Sequence, residues 1–209
     1  MKYIAIEGNI GAGKTSLVGK LARDFAGVGV YEKYAENPFL EKFYKDNRRY
    51  ALHVELGFLV ERYRQFREEI EPALNQNKWV ISDYHFSKSD IFAKVNLEES
   101  EYRLFQAIYK MMLSKIFFPE LYVFLNVPIY ILSERIKKRG RKMENSIYPG
   151  YLEALNESYL KSFKSTDYQN ILVINTGHID FVRNTKFYEK LKNYIFNFKL
   201  SKRITHVNL

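Results

Sequence analysis

The sequence predicts an α/β protein in which a five-stranded parallel sheet is flanked by helices on both faces. Three observations carry that expectation. Short apolar runs recur along the 209 residues, each closed by Gly, Asn, Asp or Pro. Longer segments with helical periodicity separate them. The first run opens into a glycine cluster and then a helix. Strands that alternate with helices need right-handed crossovers, which make the sheet parallel. Runs that are apolar on every residue suit strands covered on both sides.

Residues 3–6 (YIAI), 79–81 (WVI), 121–127 (LYVFLNV) and 171–174 (ILVI) read as strands, and 28–31 as a weaker one. Helices are expected over 14–26, 38–45, 49–71, 87–94, 100–117, 129–139, 150–164 and 181 to about 197. The long helix rests on Leu52, Leu56, Leu59, Tyr63, Phe66 and Ile70, whose steps of four and three are the helical period. No repeat, linker or low-complexity tract interrupts the pattern, so residues 1–209 read as one domain. A basic lid is expected at about 139–149. The polar, basic tail at about 199–209 is expected to be loosely held.

Composition excludes several classes. At 46% hydrophobic and 27% charged the chain has the balance of a folded protein. It has no cysteine, which excludes disulfides, thiolate metal sites and thiol catalysis and fits a reducing compartment. The first apolar run ends at Glu7, too short for a secretion signal. The longest apolar region is broken by Pro119, Glu120, Asn126 and Pro128, so no membrane span is expected. The expected location is the cytoplasm. A formal charge of +9 attracts anions, which include nucleic acids, anionic membranes and phosphorylated small molecules. Lysines that only keep a protein soluble give the same number.

Gly8, Asn9, Ile10, Gly11, Ala12, Gly13, Lys14 and Thr15 fit G-x-x-x-x-G-K-[ST] between a strand and a helix. Such a loop turns backbone N–H groups inward around phosphates, and the helix N-terminus adds a favourable field. Lys14 would reach the β- and γ-phosphates and Thr15 would ligate Mg²⁺. Ser16 extends the nucleotide-binding stretch. The loop does not choose a reaction, because ATPases, GTPases and several kinases all carry it.

Other residues could handle an acceptor. Glu32 follows the second strand, where a carboxylate could take a proton from a hydroxyl. Asp83 ends the third, where a Mg²⁺-associated carboxylate belongs. Both could equally be solvated or turn-forming strand ends. Arg135, Lys137, Lys138, Arg139, Arg141 and Lys142 end one helix and enter the lid. They could stabilise a transferring phosphoryl group or merely complement the helix dipole.

Four segments in order resemble the deoxyribonucleoside kinases over about residues 1–181. They are the loop from Ile6 to Thr15, the run ENPFLEKFY at 36–44, SDYHF at 82–86, and RIKKRGR at 135–141. The likeness is greatest to the deoxyadenosine and deoxyguanosine kinases of low-GC Gram-positive bacteria and mycoplasmas. It implies a P-loop kinase fold with an arginine-rich lid, ATP as donor and Mg²⁺. It makes Glu32 the base for a 5′-hydroxyl, with Asp83 beside that hydroxyl and Mg²⁺. It gives Tyr44 and Glu144 the sugar 3′-hydroxyl, and puts Arg139 and Arg141 on the phosphates. Gly177, His178, Ile179, Asp180 and Phe181 would cup the adenine of ATP. Tyr84 and Ser89 fall in the acceptor set. Members are usually dimers, so a homodimer is implied. Three departures stand out. Lys33 replaces a common Pro. Tyr84 replaces an Arg, for which a lid arginine such as Arg135 would compensate. His53 stands where many members carry a base-pairing Gln.

The long helix adds its own signal. His53, Gly57, Val60 and Arg64 form a second stripe, and Gly57 costs about 1 kcal/mol relative to Ala. A glycine there suggests close approach of something. If the stripe faces the nucleobase, the space favours a purine. The expected reaction is transfer of the γ-phosphate of ATP to a deoxyribonucleoside 5′-hydroxyl, with deoxyadenosine favoured, deoxyguanosine next and deoxycytidine tolerated. A thymidylate-type monophosphate kinase is the alternative within phosphotransferases. A nucleic-acid-binding ATPase is the alternative from another class. Neither a nucleic-acid nor a membrane partner is expected.

Overall fold

The computed structural model describes residues 2–165, 170–197 and 203–208. Its sheet has six parallel strands in the order β2-β3-β1-β4-β5-β6. These are β1 (Tyr3–Gly8), β2 (Val28–Val30), β3 (Val80–Ser82), β4 (Leu121–Asn126), β5 (Ile171–Asn175) and β6 (Ile204–Asn208). The sixth strand corrects the expectation of five. The tail is polar on average, but residues 204–207 (ITHV) are β-branched or aromatic. They pair along β5 from Ile171↔Ile204 to Asn175↔Asn208. Ending the chain after residue 202 is expected to lower Tm by roughly 5–10 °C, for a loss of about 2–3 kcal/mol, and to promote self-association through the bared β5 edge. Differential scanning calorimetry and light scattering check both.

Each strand of the sheet centre buries both faces, as its unbroken apolar sequence requires. On one side Ile4, Ile6, Leu121, Val123 and Leu125 pack with Leu17 and Leu21 of α1 (Lys14–Asp24) and Leu132 of α7 (Ile129–Arg139). Leu191 and Ile195 of α9 (Thr185–Phe196) join them. On the other side Tyr3 and Val80 meet Leu59 of α3 (Asn47–Gln65) and Phe105 of α6 (Glu99–Leu113). Tyr122 and Phe124 meet Tyr159 and Phe163 of α8 (Pro149–Ser165). No described helix is long and apolar enough to cross a membrane.

The long helix is a composite. After α3 the backbone makes one π turn, Phe66–Ile70, and continues as α4 (Glu71–Asn75). Pro72 lies in the first turn of α4 and lacks an N–H. A wider turn before it absorbs the lost bond without breaking the rod. The expected helix over 38–45 is a short 3₁₀ turn, Tyr34–Glu36, followed by α2 (Leu40–Lys45), and the expected 87–94 is α5 (Lys88–Asn96). The expected 181–197 starts only at Thr185. Asp180 Oδ1 accepts from the N–H groups of Val182 and Arg183 and holds a turn instead. Asn184 then caps the helix by accepting from Lys186 and Phe187. In the lid, α7 stops at Gly140, whose φ of 68° suits glycine, and a 3₁₀ turn spans Lys142–Ser146.

Candidate active site

The parallel sheet sends the chain out at the carboxyl ends of its strands, so the loops after β1, β2 and β3 meet at one place. The loop after β1 carries the glycines. Gly8, Gly11 and Gly13 have φ of 149°, 84° and 95°, a range that L side chains rarely adopt. A methyl group on Gly13 would also lie 2.9 Å from the Phe181 ring. Asn9 is buried and its Nδ2 donates to Leu152 O at 2.7 Å, fastening the loop to α8. Ala12 is fully buried beneath the loop, and Ser16 is exposed on α1. Lys14 Nζ donates to Gly8 O and Asn9 O, both at 2.9 Å. Burial, and then the charge of Lys88, push the Lys14 ammonium down to about 8.

A cavity of about 260 Å³ opens beside this loop. Ten of the residues expected from the sequence border it: Ile10, Gly11, Lys14, Thr15, Glu32, Tyr44, Asp83, Arg139, Arg141 and Glu144. Asp83 directly follows β3, the strand next to β1. Its Oδ2 accepts from Thr15 Oγ1 at 2.6 Å, and its Oδ1 accepts from the Glu32 N–H at 2.8 Å. A hydroxyl against a carboxylate is an oxygen donor pair that fits Mg²⁺, which takes one or two protein oxygens and leaves the rest to water and phosphate.

Glu32 is clamped by two buried cations that sequence reasoning missed. Its Oε1 accepts from Arg62 Nε at 3.0 Å and Nη2 at 2.6 Å. Its Oε2 accepts from Lys88 Nζ at 2.6 Å. Burial opposes ionisation of this carboxyl, but Lys88 and Arg62 together outweigh burial and hold it down to about 2. Arg135, expected to replace a missing cation, lies elsewhere. Its guanidinium reaches Ala12 O at 3.4 Å on the opposite side of the loop. It and Lys138 border a second cleft with Gly13 and the segment Gly177, His178, Ile179, Asp180 and Phe181. That segment and the Gly13 end of the phosphate loop therefore border one cleft.

The lid is drawn onto the cavity. Glu144 is 6% exposed and takes Arg139 Nε and Nη2 on Oε2 at 3.0 and 2.5 Å, and Arg141 Nη1 on Oε1 at 3.3 Å. The Arg141 guanidinium also stacks over Tyr34 at 4.2 Å. Burial, and then the nearby Glu144 charge, raise the Tyr44 phenol.

Five expected acceptor residues, His53, Gly57, Val60, Tyr84 and Ser89, are not among those that line the cavity. His53 is exposed and packs at 5.0 Å from the Phe39 ring. Val60 is 55% exposed. Gly57 does answer a close approach, but by Asn37, whose Nδ2 would lie 2.9 Å from an added methyl and donates to Val54 O. The stripe that faces the cavity is Val54, Glu55, Phe58 and Arg62, one to two positions round the helix. Tyr84 is buried and donates to Gln65 Oε1 at 2.8 Å, while Ser89 Oγ accepts from Arg62 Nη1 at 2.8 Å. Both support the clamp from behind.

Glu55 is the second omission. It is 2% exposed, its Oε1 accepts from Asn96 Nδ2 at 2.6 Å, and its Oε2 is buried without a hydrogen-bond partner. Burial pushes its carboxyl up to about 7, against the Asn96 hydrogen bond. The signal was present in the sequence as helical spacing of Glu55, Phe58 and Arg62. That spacing sets one face but does not mark it as inward, because charged residues on a helix usually face water.

A family model described as "Deoxynucleoside kinase" matches residues 4–199. A deoxyguanosine kinase of Bacillus subtilis is 32% identical over 197 residues, covering 92% of this chain and 95% of the relative. A deoxyadenosine kinase of Lactobacillus acidophilus is 30% identical, covering 88% and 90%. The solved structure of a deoxyadenosine kinase from M. mycoides with bound dCTP superposes with a TM-score of 0.80 at 26% identity, covering 95% of this chain and all of that one. With the phosphate loop, the clamped Glu32 and the arginine lid around one cavity, these likenesses show that the chain belongs to the deoxynucleoside kinase family and is an ATP-dependent kinase.

Proposed function

We propose that the chain transfers the γ-phosphate of ATP to the 5′-hydroxyl of a purine deoxyribonucleoside, and takes deoxyguanosine in preference to deoxyadenosine when Glu55 is ionised. The observation that carries the base assignment is Glu55, whose Oε2 is buried without a hydrogen-bond partner and whose side chain borders a cavity walled by Phe43, Phe58, Phe92 and Tyr151. Those rings offer stacking surface, and an ionised carboxylate accepts only. Guanine presents two adjacent N–H donors, at N1 and N2, to such a group. A protonated Glu55 has one donor and one acceptor, which matches adenine N1 and N6. Deoxyadenosine, favoured by the sequence reading, thus corresponds to the protonated form.

Glu32 orients the 5′-hydroxyl. A carboxylate has lone-pair sites left after two cations bind, and Glu32 keeps 16% side-chain exposure to the cavity. Phosphoryl transfer has a loose transition state, so aim and charge matter more than base strength. Lys14 and the loop N–H groups hold the donor phosphates. Thr15 and Asp83 would hold Mg²⁺, which neutralises phosphate charge when bound. Tyr44 and Glu144 are assigned to the sugar 3′-hydroxyl. Glu144 also ties that hydroxyl to Arg139 and Arg141, so a sugar bound there brings the lid arginines over the reacting group. A homodimer is kept as part of this reading on the family resemblance.

The test is the ratio of kcat/KM for deoxyguanosine over deoxyadenosine between pH 6 and 8. Glu55 sits among Arg62, Lys88 and Glu32, and the first two oppose its raised carboxyl while the third adds to it. As pH rises through about 7 the carboxyl ionises, so the ratio is expected to climb about tenfold. Glu55→Gln is expected to flatten the pH dependence and favour deoxyadenosine throughout. A flat ratio in the wild type, or preferred transfer to thymidine, overturns the base assignment. ATP hydrolysis without acceptor, or transfer to monophosphates alone, overturns the nucleoside reading.

A further inference from the structure

Lys88 is anomalous on three physical counts. It stands in the first turn of α5, where the helix dipole disfavours a cation. It is 5% exposed, although lysine is almost never buried without a reason. Its partner Glu32 is already neutralised by a guanidinium that donates twice to Oε1. Glu32, Arg62 and Lys88 therefore leave one positive charge in excess, and that surplus borders the cavity together with Lys14. The Lys88 charge is also felt by the buried Glu7 carboxyl, which burial raises and which accepts its hydrogen bonds from the His85 N–H and the Tyr159 hydroxyl rather than from Lys88, and each buried charge costs several kcal/mol of desolvation. Surplus positive charge at a cavity wall is stable when an anion is brought there.

We propose that Lys88 is a further catalytic residue, whose ammonium contacts the acceptor 5′-oxygen and the phosphoryl group it receives. Lys88 works from the acceptor side and Lys14 from the donor loop. The mutual repulsion of the two ammonium groups is felt in the lowered Lys14. It is relieved when a phosphoryl group carrying negative charge lies between them. In the transfer, the bond from the γ-phosphorus to the β,γ-bridging oxygen breaks as the bond to the 5′-oxygen forms. The hydroxyl proton leaves toward Glu32, and ADP keeps the bridging oxygen. The charge on the phosphoryl oxygens is what Lys88 meets. The Phe92 ring, 5.2 Å from Nζ, holds the side chain from the other side.

This assignment rests on the kinase reading above, and the test separates the two. Lys88→Met, Lys88→Gln and Lys88→Arg are compared with the wild type by steady-state kinetics and by calorimetric binding of a purine deoxynucleoside and its 5′-monophosphate. For Met and Gln, kcat is expected to fall at least 30-fold, with KM for ATP changed less than threefold. Monophosphate affinity is expected to fall at least tenfold, with nucleoside affinity within threefold. Arg is expected to retain monophosphate affinity within threefold. A purely structural Lys88 predicts parallel losses for nucleoside and monophosphate, and that result overturns the proposal. So does an unchanged kcat. Gln keeps a donor for Glu32 and carries the test if Met prevents folding. A wild type that transfers phosphate to no deoxynucleoside overturns the kinase reading first, and the Lys88 assignment with it.

Discussion

Replacing Glu32 by Gln is expected to lower kcat for deoxynucleoside phosphorylation by about 10²–10⁴-fold. The amide keeps the shape but offers only one acceptor where Glu32 uses both oxygens, one to Arg62 and one to Lys88. Either the amide NH₂ faces a cation, or it turns into the cavity and presents a donor to a hydroxyl that must itself donate. Both outcomes misplace the 5′-oxygen, and a misplacement of about 1 Å costs on the order of 10²-fold. ATP binding depends on the loop after β1 and is expected to change little. Rapid-quench measurement of a single turnover, with ATP affinity measured separately, checks the prediction. An unchanged chemical step would remove Glu32 from the reaction.

Arg62→Met is expected to be the most destabilising single change in the site, by about 3–5 kcal/mol, which lowers Tm by roughly 10 °C. Arg62 is 2% exposed and holds Glu32 and Ser89 at once, with its guanidinium 4.9 Å from the Phe58 ring. Methionine fills the stem's volume but leaves the buried carboxylate with Lys88 alone. The neighbouring Arg64 is the control. It is 49% exposed and pairs with Glu61 at the surface, so Arg64→Met is expected to leave the unfolding temperature nearly unchanged. Equal effects in thermal unfolding would mean that burial of the clamp contributes nothing.

The sheet and the phosphate loop were legible because each is written locally. A buried parallel strand must be apolar throughout, and a phosphate cradle needs glycine where φ is positive. The sixth strand was not, because residues 204–208 gain their strand character only by pairing with β5. The site was legible where a residue follows a strand end, as Glu32 and Asp83 do. It was illegible on α3, which carries apolar side chains nearly all round. There a shift of one or two positions exchanges His53 and Val60 for Val54, Glu55 and Arg62. Nothing local marks Glu55 and Arg62 as inward. Their partners Asn96, Ser89 and Glu32 come from other elements, and only the fold brings them together.

The bond from Asn9 to Leu152 has a mechanical consequence. The lid hangs between two fastenings. One is Gly140, where α7 stops, and the other is α8, whose residue Leu152 is tied to the phosphate loop itself. A strap held at both ends cannot swing like a door. It can only slacken or tighten, and its slack is the dozen or so residues between the two points. Any shift of the loop as it closes around phosphates pulls directly on one end of that strap. The far end of the lid and the phosphate loop therefore share one anchor, the start of α8.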